Sequence, residues 1–234
     1  ISSRLLIDCG LGLRQLDQRM AEAGLRASDL DAIFITHEHG DHIGCAVAVA
    51  RREGLPVWMS HGTYLAIGSP DPGSWLRIAA DSHPIACGEI EIRPFTVPHD
   101  AREPLQLVCT DGARRLGVLT DLGHATSHVL DQLAGCEALL LESNHDAALL
   151  EAGRYPLFLK RRVGGLWGHL SNAAASDIAR QVHHPGLRHV VAAHLSEQNN
   201  SPDLAREALA GGLGCAPGEI LVAAPTGMAD WLNV

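Results

Sequence analysis

The sequence predicts an α/β fold built as one domain over residues 1–234. Three observations lead to it. Short apolar runs of strand length alternate with stretches of helical spacing from one end of the chain to the other. The hydrophobic content, 46% with only 4% aromatic residues, suits a globular chain long enough to bury a sizeable core. Finally, Thr36-His37-Glu38-His39-Gly40-Asp41-His42 gathers three imidazoles and two carboxylates at a strand-to-helix turn, where short side chains converge from irregular backbone.

The elements follow in order. Arg4 to Cys9 is a short apolar strand ending in Asp8-Cys9-Gly10, and Gly12 to Ala23 has helical spacing (Leu13, Leu16, Met20, Ala23) that Gly24 stops. Leu30 to Ile35 reads as a buried strand, and His42 to Glu53 as a helix ending at Gly54. Pro56 to Ser60 is a further strand, and Ser69 to Ser74, rich in Pro and Gly, is a loop. Trp75 beside that loop is expected to pack on the core. Glu89 to Val97 alternates polar and apolar residues and delivers Pro98-His99-Asp100. Leu105 to Cys109 and Leu116 to Thr120 form a hairpin around Asp111-Gly112, and the second strand exits through Asp121. A helix from Thr126 to Leu133 precedes a buried strand, Ala138 to Leu141, and then Glu142-Ser143-Asn144-His145-Asp146. Gly168-His169-Leu170-Ser171-Asn172 caps a helix reaching Val182. His189 to Ala193 is a strand ending at His194, Asp203 to Ala210 a helix, and Ile220 to Ala224 a final strand.

The bulk numbers exclude several classes. A net charge of −9 removes any broad attraction to nucleic acid, so such a substrate needs a local basic patch. The concentrated basic run is Lys160-Arg161-Arg162, with Arg154 nearby; it is either a solvated face or an anion site beside the helix that Ser171 opens. Six cysteines without a CxxC pair read as thiols of a reducing compartment, which points to the cytoplasm. No signal peptide and no run long enough to span a membrane is present, so no membrane partner is expected.

The chemistry-bearing residues share one position. His37, His39, Asp41, His42, His99, Asp121 and His194 each follow a strand, which lines them along one edge of a sheet assembly. His37 and His39 alternate, so on extended chain they project the same way. Imidazole with carboxylate suits zinc, manganese or iron, and this many donors in a few residues suits two ions better than one. Asp8, at the end of its strand, either accepts a hydrogen bond from a metal-bound histidine or simply ends a turn.

This order and spacing resembles the metallo-β-lactamase fold superfamily, over nearly the whole chain. The resemblance implies an αββα four-layer sandwich with a dinuclear site at the sheet edges. It assigns His37, His39, His99 and Asp121 to a first metal, and Asp41, His42, Asp121 and His194 to a second, with Asp121 bridging and Asp8 behind the ligands. Superfamily members normally have strands before this point, so residues upstream of Ile1 are expected. Two divalent ions follow as cofactors, zinc first.

Where class B β-lactamases commonly carry a cysteine this chain has Asp121, and there is no room for the helical C-terminal extension of glyoxalase II. Gly168-His169-Leu170-Ser171-Asn172 and Ala193-His194-Leu195-Ser196 are similar in place to motifs of tRNase Z-like enzymes, apart from the inserted Leu170. Together with Glu142 to Asp146, Tyr155 to Arg162 and His194 to Pro202, they look like the bacterial YycJ/WalJ-type group, described as DNA exonucleases. The implied function is phosphodiester hydrolysis of nucleic acid by water activated between two metals, with Asp41, Asp121 and His169 as the catalytic groups. Asn144, His145, Lys160, Arg161, Arg162, Ser171 and Asn172 are the substrate-binding candidates. His169 alternatively caps a helix or packs, and Asn144 and His145 alternatively pack. The competing functions are a small-molecule hydrolase acting on a cyclic phosphodiester, thioester or lactone, favoured if the basic run faces away from the metals, and a non-catalytic regulatory module.

Overall fold

The computed structural model describes residues 2–225, 227 and 231–234, and the chain divides into two compact units. Unit 1 comprises Ile1–Thr96 with Ala101–Leu105; unit 2 comprises Val97–Asp100 with Gln106–Val234.

Unit 1 begins with β1 (Leu5–Ile7), α1 (Leu13–Glu22) and β2 (Ala32–Phe34). The short helices α2 (Gly40–Ile43) and α3 (Ala46–Glu53) follow, then β3 (Val57–Ser60), α4 (His61–Ala66) and β4 (Leu76–Ala79). β1 to β4 form a four-stranded sheet in sequence order, parallel throughout. β2 is buried on both faces, which is why its sequence is a continuous apolar run rather than an alternating one. Leu16 and Met20 of α1 and Val49 and Ala50 of α3 cover Ile33, Ile35, Val57 and Met59, and Trp75 packs into this core as expected. β5 (Ile85–Cys87) and β6 (Ile90–Thr96) pair antiparallel.

One expectation is corrected here. The helix expected from His42 to Glu53 is two helices, broken at Gly44. Gly44 has φ +32° and a Cβ there would lie 2.3 Å from the Cys9 carbonyl oxygen, so the backbone turns away where it meets the end of β1. Periodicity alone does not carry that contact.

Unit 2 contains β7 (Leu105–Thr110) from its second residue on, β8 (Arg115–Leu119), α5 (Ser127–Leu133), β9 (Ala138–Glu142), α6 (Ala147–Ala152) and α7 (Leu157–Val163). It continues with α8 (Asn172–Val182), β10 (His189–Ala193), α9 (Pro202–Leu213) and β11 (Leu221–Val222). Its strands run in the order β11-β10-β9-β8-β7, with β7 antiparallel to β8 and the rest parallel. The expected last strand shortens to Leu221–Val222. Helices open on side-chain caps: Thr126, Asp146, Ser171 and Ser201 accept from the backbone N–H three residues on.

Candidate functional site

In unit 1 the cluster after β2 is held by Asp8. Its carboxylate accepts from the Thr36 N–H (2.8 Å), the Thr36 hydroxyl (2.9 Å) and His42 Nδ1 (2.7 Å). A carboxylate oxygen can only accept, so His42 carries its proton on Nδ1 and its lone pair on Nε2. The same logic extends to His37. Thr36 spends its single hydroxyl proton on Asp8, so its oxygen accepts from His37 Nδ1 at 3.0 Å, again leaving the lone pair on Nε2. His37 Nε2 and His39 Nδ1 converge to 2.9 Å, as the alternation predicted.

Asp41 is exposed and His42 buried on the first turn of α2. Asp8 sits at φ 59°, a left-handed conformation costly for a non-glycine residue and kept here by three bonds to its side chain. Gly10 lets the end of β1 pass against this turn, for a Cβ there would fall 1.7 Å from the Asp41 carbonyl oxygen.

In unit 2 the centre is Glu142, the last residue of β9 and fully buried. Its Oε1 accepts from His169 Nδ1 (2.8 Å) and His194 Nδ1 (3.0 Å). Its Oε2 accepts from the Leu122 and Leu170 N–H groups, at 2.9 and 3.0 Å. Burial alone would raise the Glu142 pKa; the bonds from His169 and His194 outweigh it and hold the carboxyl below the usual range. Burial likewise opposes protonation of His169, and the Glu142 carboxylate overrides it, so the His169 pKa rises. His99 goes the other way. Burial drives it down to about 4, although its Nδ1 donates to the Gly168 carbonyl at 3.0 Å, so at neutral pH it is the neutral imidazole that metals bind. His194, at φ 54°, is a second left-handed non-glycine residue next to the chemistry.

Asp121 is buried with Oδ1 3.4 Å from both His169 Nδ1 and His194 Nδ1 and 3.7 Å from His99 Nε2. Asp121, Glu142, His169 and His194 offer ligand atoms all within 4.8 Å of one another. Within unit 1 His37 and His42 present Nε2, and within unit 2 His99 and His194 do so beside the Asp121 carboxylate; nitrogen and carboxylate donors of this kind fit divalent metal ions.

The remaining candidates fall into two groups. Asn144 and His145 are buried; the Asn144 side chain donates to the His194 carbonyl at 3.0 Å, and burial lowers the His145 pKa. Ser171 caps α8, and Asn172 exchanges two hydrogen bonds with Asn200 at 2.8 and 2.9 Å. These side chains lace together the chain exits that carry Glu142, His169 and His194. Lys160, Arg161 and Arg162 lie on α7, where Lys160 reaches the Glu151 carbonyl and Arg162 Nε pairs with Asp100 at 2.5 Å.

Two contributors went unassigned in the sequence reading. Thr36 carries no signal of its own in the sequence beyond its place at the head of the motif, whereas Glu142 has the same signal as Asp8 and Asp121: a carboxylate at the exit of an apolar strand.

The beta-lactamase superfamily domain family matches residues 3–195. The chain is 35% identical over 208 residues to exodeoxyribonuclease YycJ of Bacillus anthracis, covering 87% of this chain and 78% of that protein. It is 31% identical over 208 residues to exodeoxyribonuclease WalJ of Streptococcus pneumoniae, covering 86% and 77% respectively. The crystal structure of the metallo-beta-lactamase fold protein YhfI from Bacillus subtilis superposes with a TM-score of 0.72 at 19% identity, covering 96% of this chain and 85% of that one. The chain therefore has the metallo-β-lactamase fold and belongs to the beta-lactamase superfamily, alongside the YycJ/WalJ proteins.

Proposed function

We propose that this protein is a metal-dependent phosphodiesterase that degrades DNA from an end. Its ligands are His37, His39, His99 and Asp121 for one divalent ion, and Asp41, His42, Asp121 and His194 for the other, zinc being the first candidate. The relatives named as exodeoxyribonucleases support the reaction class. The observation that carries the substrate is the Arg162–Asp100 pair. It ties Arg162 of α7 to the residue after His99, which supports a basic run beside a ligand over one facing away, the arrangement that would favour the small-molecule reading. Six cysteines, all free thiols, fit a cytoplasmic setting.

Bound metals would lower the pKa of a shared water and offset charge growing on the phosphate oxygens. The protein's own part is orientation. Asp8 and Thr36 fix the tautomers of His42 and His37, and Glu142 does the same for His194 and His169. With Nδ1 tied to Glu142, His169 directs Nε2 to a phosphate oxygen or to the leaving alkoxide, where it donates a proton. Lys160, Arg161 and Arg162 hold neighbouring phosphates, positioning the strand without reading its sequence.

The test combines metal content with hydrolysis of bis(p-nitrophenyl) phosphate and of a 5′-labelled oligonucleotide. About two metals per chain and cleavage of both substrates are expected. Asp121→Ala should abolish both cleavages, and His169→Ala should slow turnover by roughly 10²–10⁴-fold with metal retained. Cleavage of the small ester alone would move the assignment to a small-molecule hydrolase; bound metal with no cleavage of either would refute the phosphodiesterase reading.

A further inference from the structure

An aromatic and apolar surface lies beside the basic run and takes no part in the reading above. α7 has no buried residue. Leu157 and Phe158 are 60% and 72% exposed, and Leu166 and Trp167, just past the helix, are 67% and 61% exposed. Large apolar side chains presented together at this level mark a binding surface.

The arrangement is specific. Residues four apart on a helix are neighbours, so Leu157 stands one turn from Arg161 and Phe158 one turn from Arg162. Each apolar group therefore shares a helix face with an arginine. The Leu166-Trp167-Gly168 segment is fixed from behind: His124 Nδ1 donates to the Leu166 carbonyl at 2.8 Å and His99 Nδ1 to the Gly168 carbonyl at 3.0 Å. The His124 ring meets the Trp167 indole edge-on at 6.4 Å. Gly123 makes room for this segment, since a Cβ there would lie 2.0 Å from the Leu166 carbonyl oxygen. The next residue after the segment is His169. An exposed indole on a pinned loop, two positions before His169 and a few residues after the basic run of α7, has the chemistry that binds unpaired bases: rings stack on bases while guanidinium groups hold the phosphates. A second protein would favour the apolar residues but gives no reason for the interleaved cations.

We propose that Phe158 and Trp167 form a stacking platform for unpaired bases, so that the enzyme takes single-stranded polynucleotide ends in preference to blunt duplex. This rests on the phosphodiesterase reading and adds the strandedness of its substrate.

The experiment measures binding of a labelled oligothymidylate and of a blunt duplex of equal length to the metal-loaded protein, by fluorescence polarisation, with size-exclusion light scattering in parallel. Wild type is expected to favour the single strand. Phe158→Ala and Trp167→Ala should each weaken single-strand binding by roughly 5- to 150-fold and reduce the preference over duplex. Trp167→Phe should restore most of the loss and Trp167→Leu should not, which separates stacking from apolar bulk. Because both side chains are exposed, unchanged thermal melting confirms that the variants fold. Unaltered binding in the alanine variants, or equal affinity of wild type for both strand forms, overturns the platform while leaving the hydrolase intact. A wild type whose self-association is lost on Trp167→Ala, with oligonucleotide binding unchanged, makes the patch a protein interface. Failure of wild type to cleave either phosphodiester substrate removes the phosphodiesterase reading and this proposal with it.

Discussion

At the scale of single residues, carboxylates set the orientation of the site's histidines. Glu142 is the clearest case, because it is fully buried and takes four donors, two of them imidazoles and two of them backbone N–H groups. Glu142→Gln keeps the shape but turns an NH₂ group toward one pair of donors and removes the charge that both imidazoles face. Loss of such an outer partner typically costs 10- to 100-fold in metal affinity or activity, and breaking a buried charge network costs about 3–5 kcal/mol. The expected outcome is a variant with at least ~10-fold lower activity on the oligonucleotide and a clearly lowered melting temperature, read by turnover and calorimetry. Wild-type turnover in Glu142→Gln would show that His169 and His194 need no such anchor.

At the scale of elements, glycines decide where the cluster can form, and the same substitution should act with opposite sign at different places. Gly10→Ala drives a methyl group into the Asp41 carbonyl, with 1.7 Å between them, so the β1 exit must withdraw from α2. Gly211, inside α9, has nothing within 4 Å of its Cβ position and an ordinary helical backbone. Gly211→Ala should therefore stabilise by about 0.5–1 kcal/mol, while Gly10→Ala should lower both the melting temperature and the bound metal. Equal melting temperatures for the two would contradict the close approach at Gly10.

The contrast also shows what could be read from sequence. His37, His99, Asp121 and His194 follow β2, β6, β8 and β10 within three residues of the strand ends, a local regularity that apolar runs display directly. The break at Gly44 was not legible, because it depends on the Cys9 carbonyl, distant in sequence. Glu142 was left unassigned for the same reason: its partners come from Leu122, His169, Leu170 and His194, and nothing near it in sequence announces them. Basic α7 read as an ambiguous charge run until Arg162 met Asp100, 62 residues away.

At the scale of the whole molecule, a polyanionic substrate must be held by a protein whose own net charge is −9. Its overall field opposes approach, so under the proposed function affinity rests on the few cations of α7, and that makes the salt dependence a count of contacts. Each phosphate neutralised on single-stranded nucleic acid contributes a slope of about −0.7 in log K against log salt concentration. Lys160, Arg161 and Arg162 together predict a slope of about −2. Arg161→Glu should flatten it by roughly 0.7 and weaken binding across all sequences alike, since phosphates carry no sequence information. Titrating a labelled oligothymidylate over a range of salt concentrations measures both quantities. A slope near zero would mean that the strand is held without its phosphates, and the basic helix would lose its assigned role. A slope much steeper than −2 would mean that cations outside α7 also touch the strand, extending the binding surface beyond this helix.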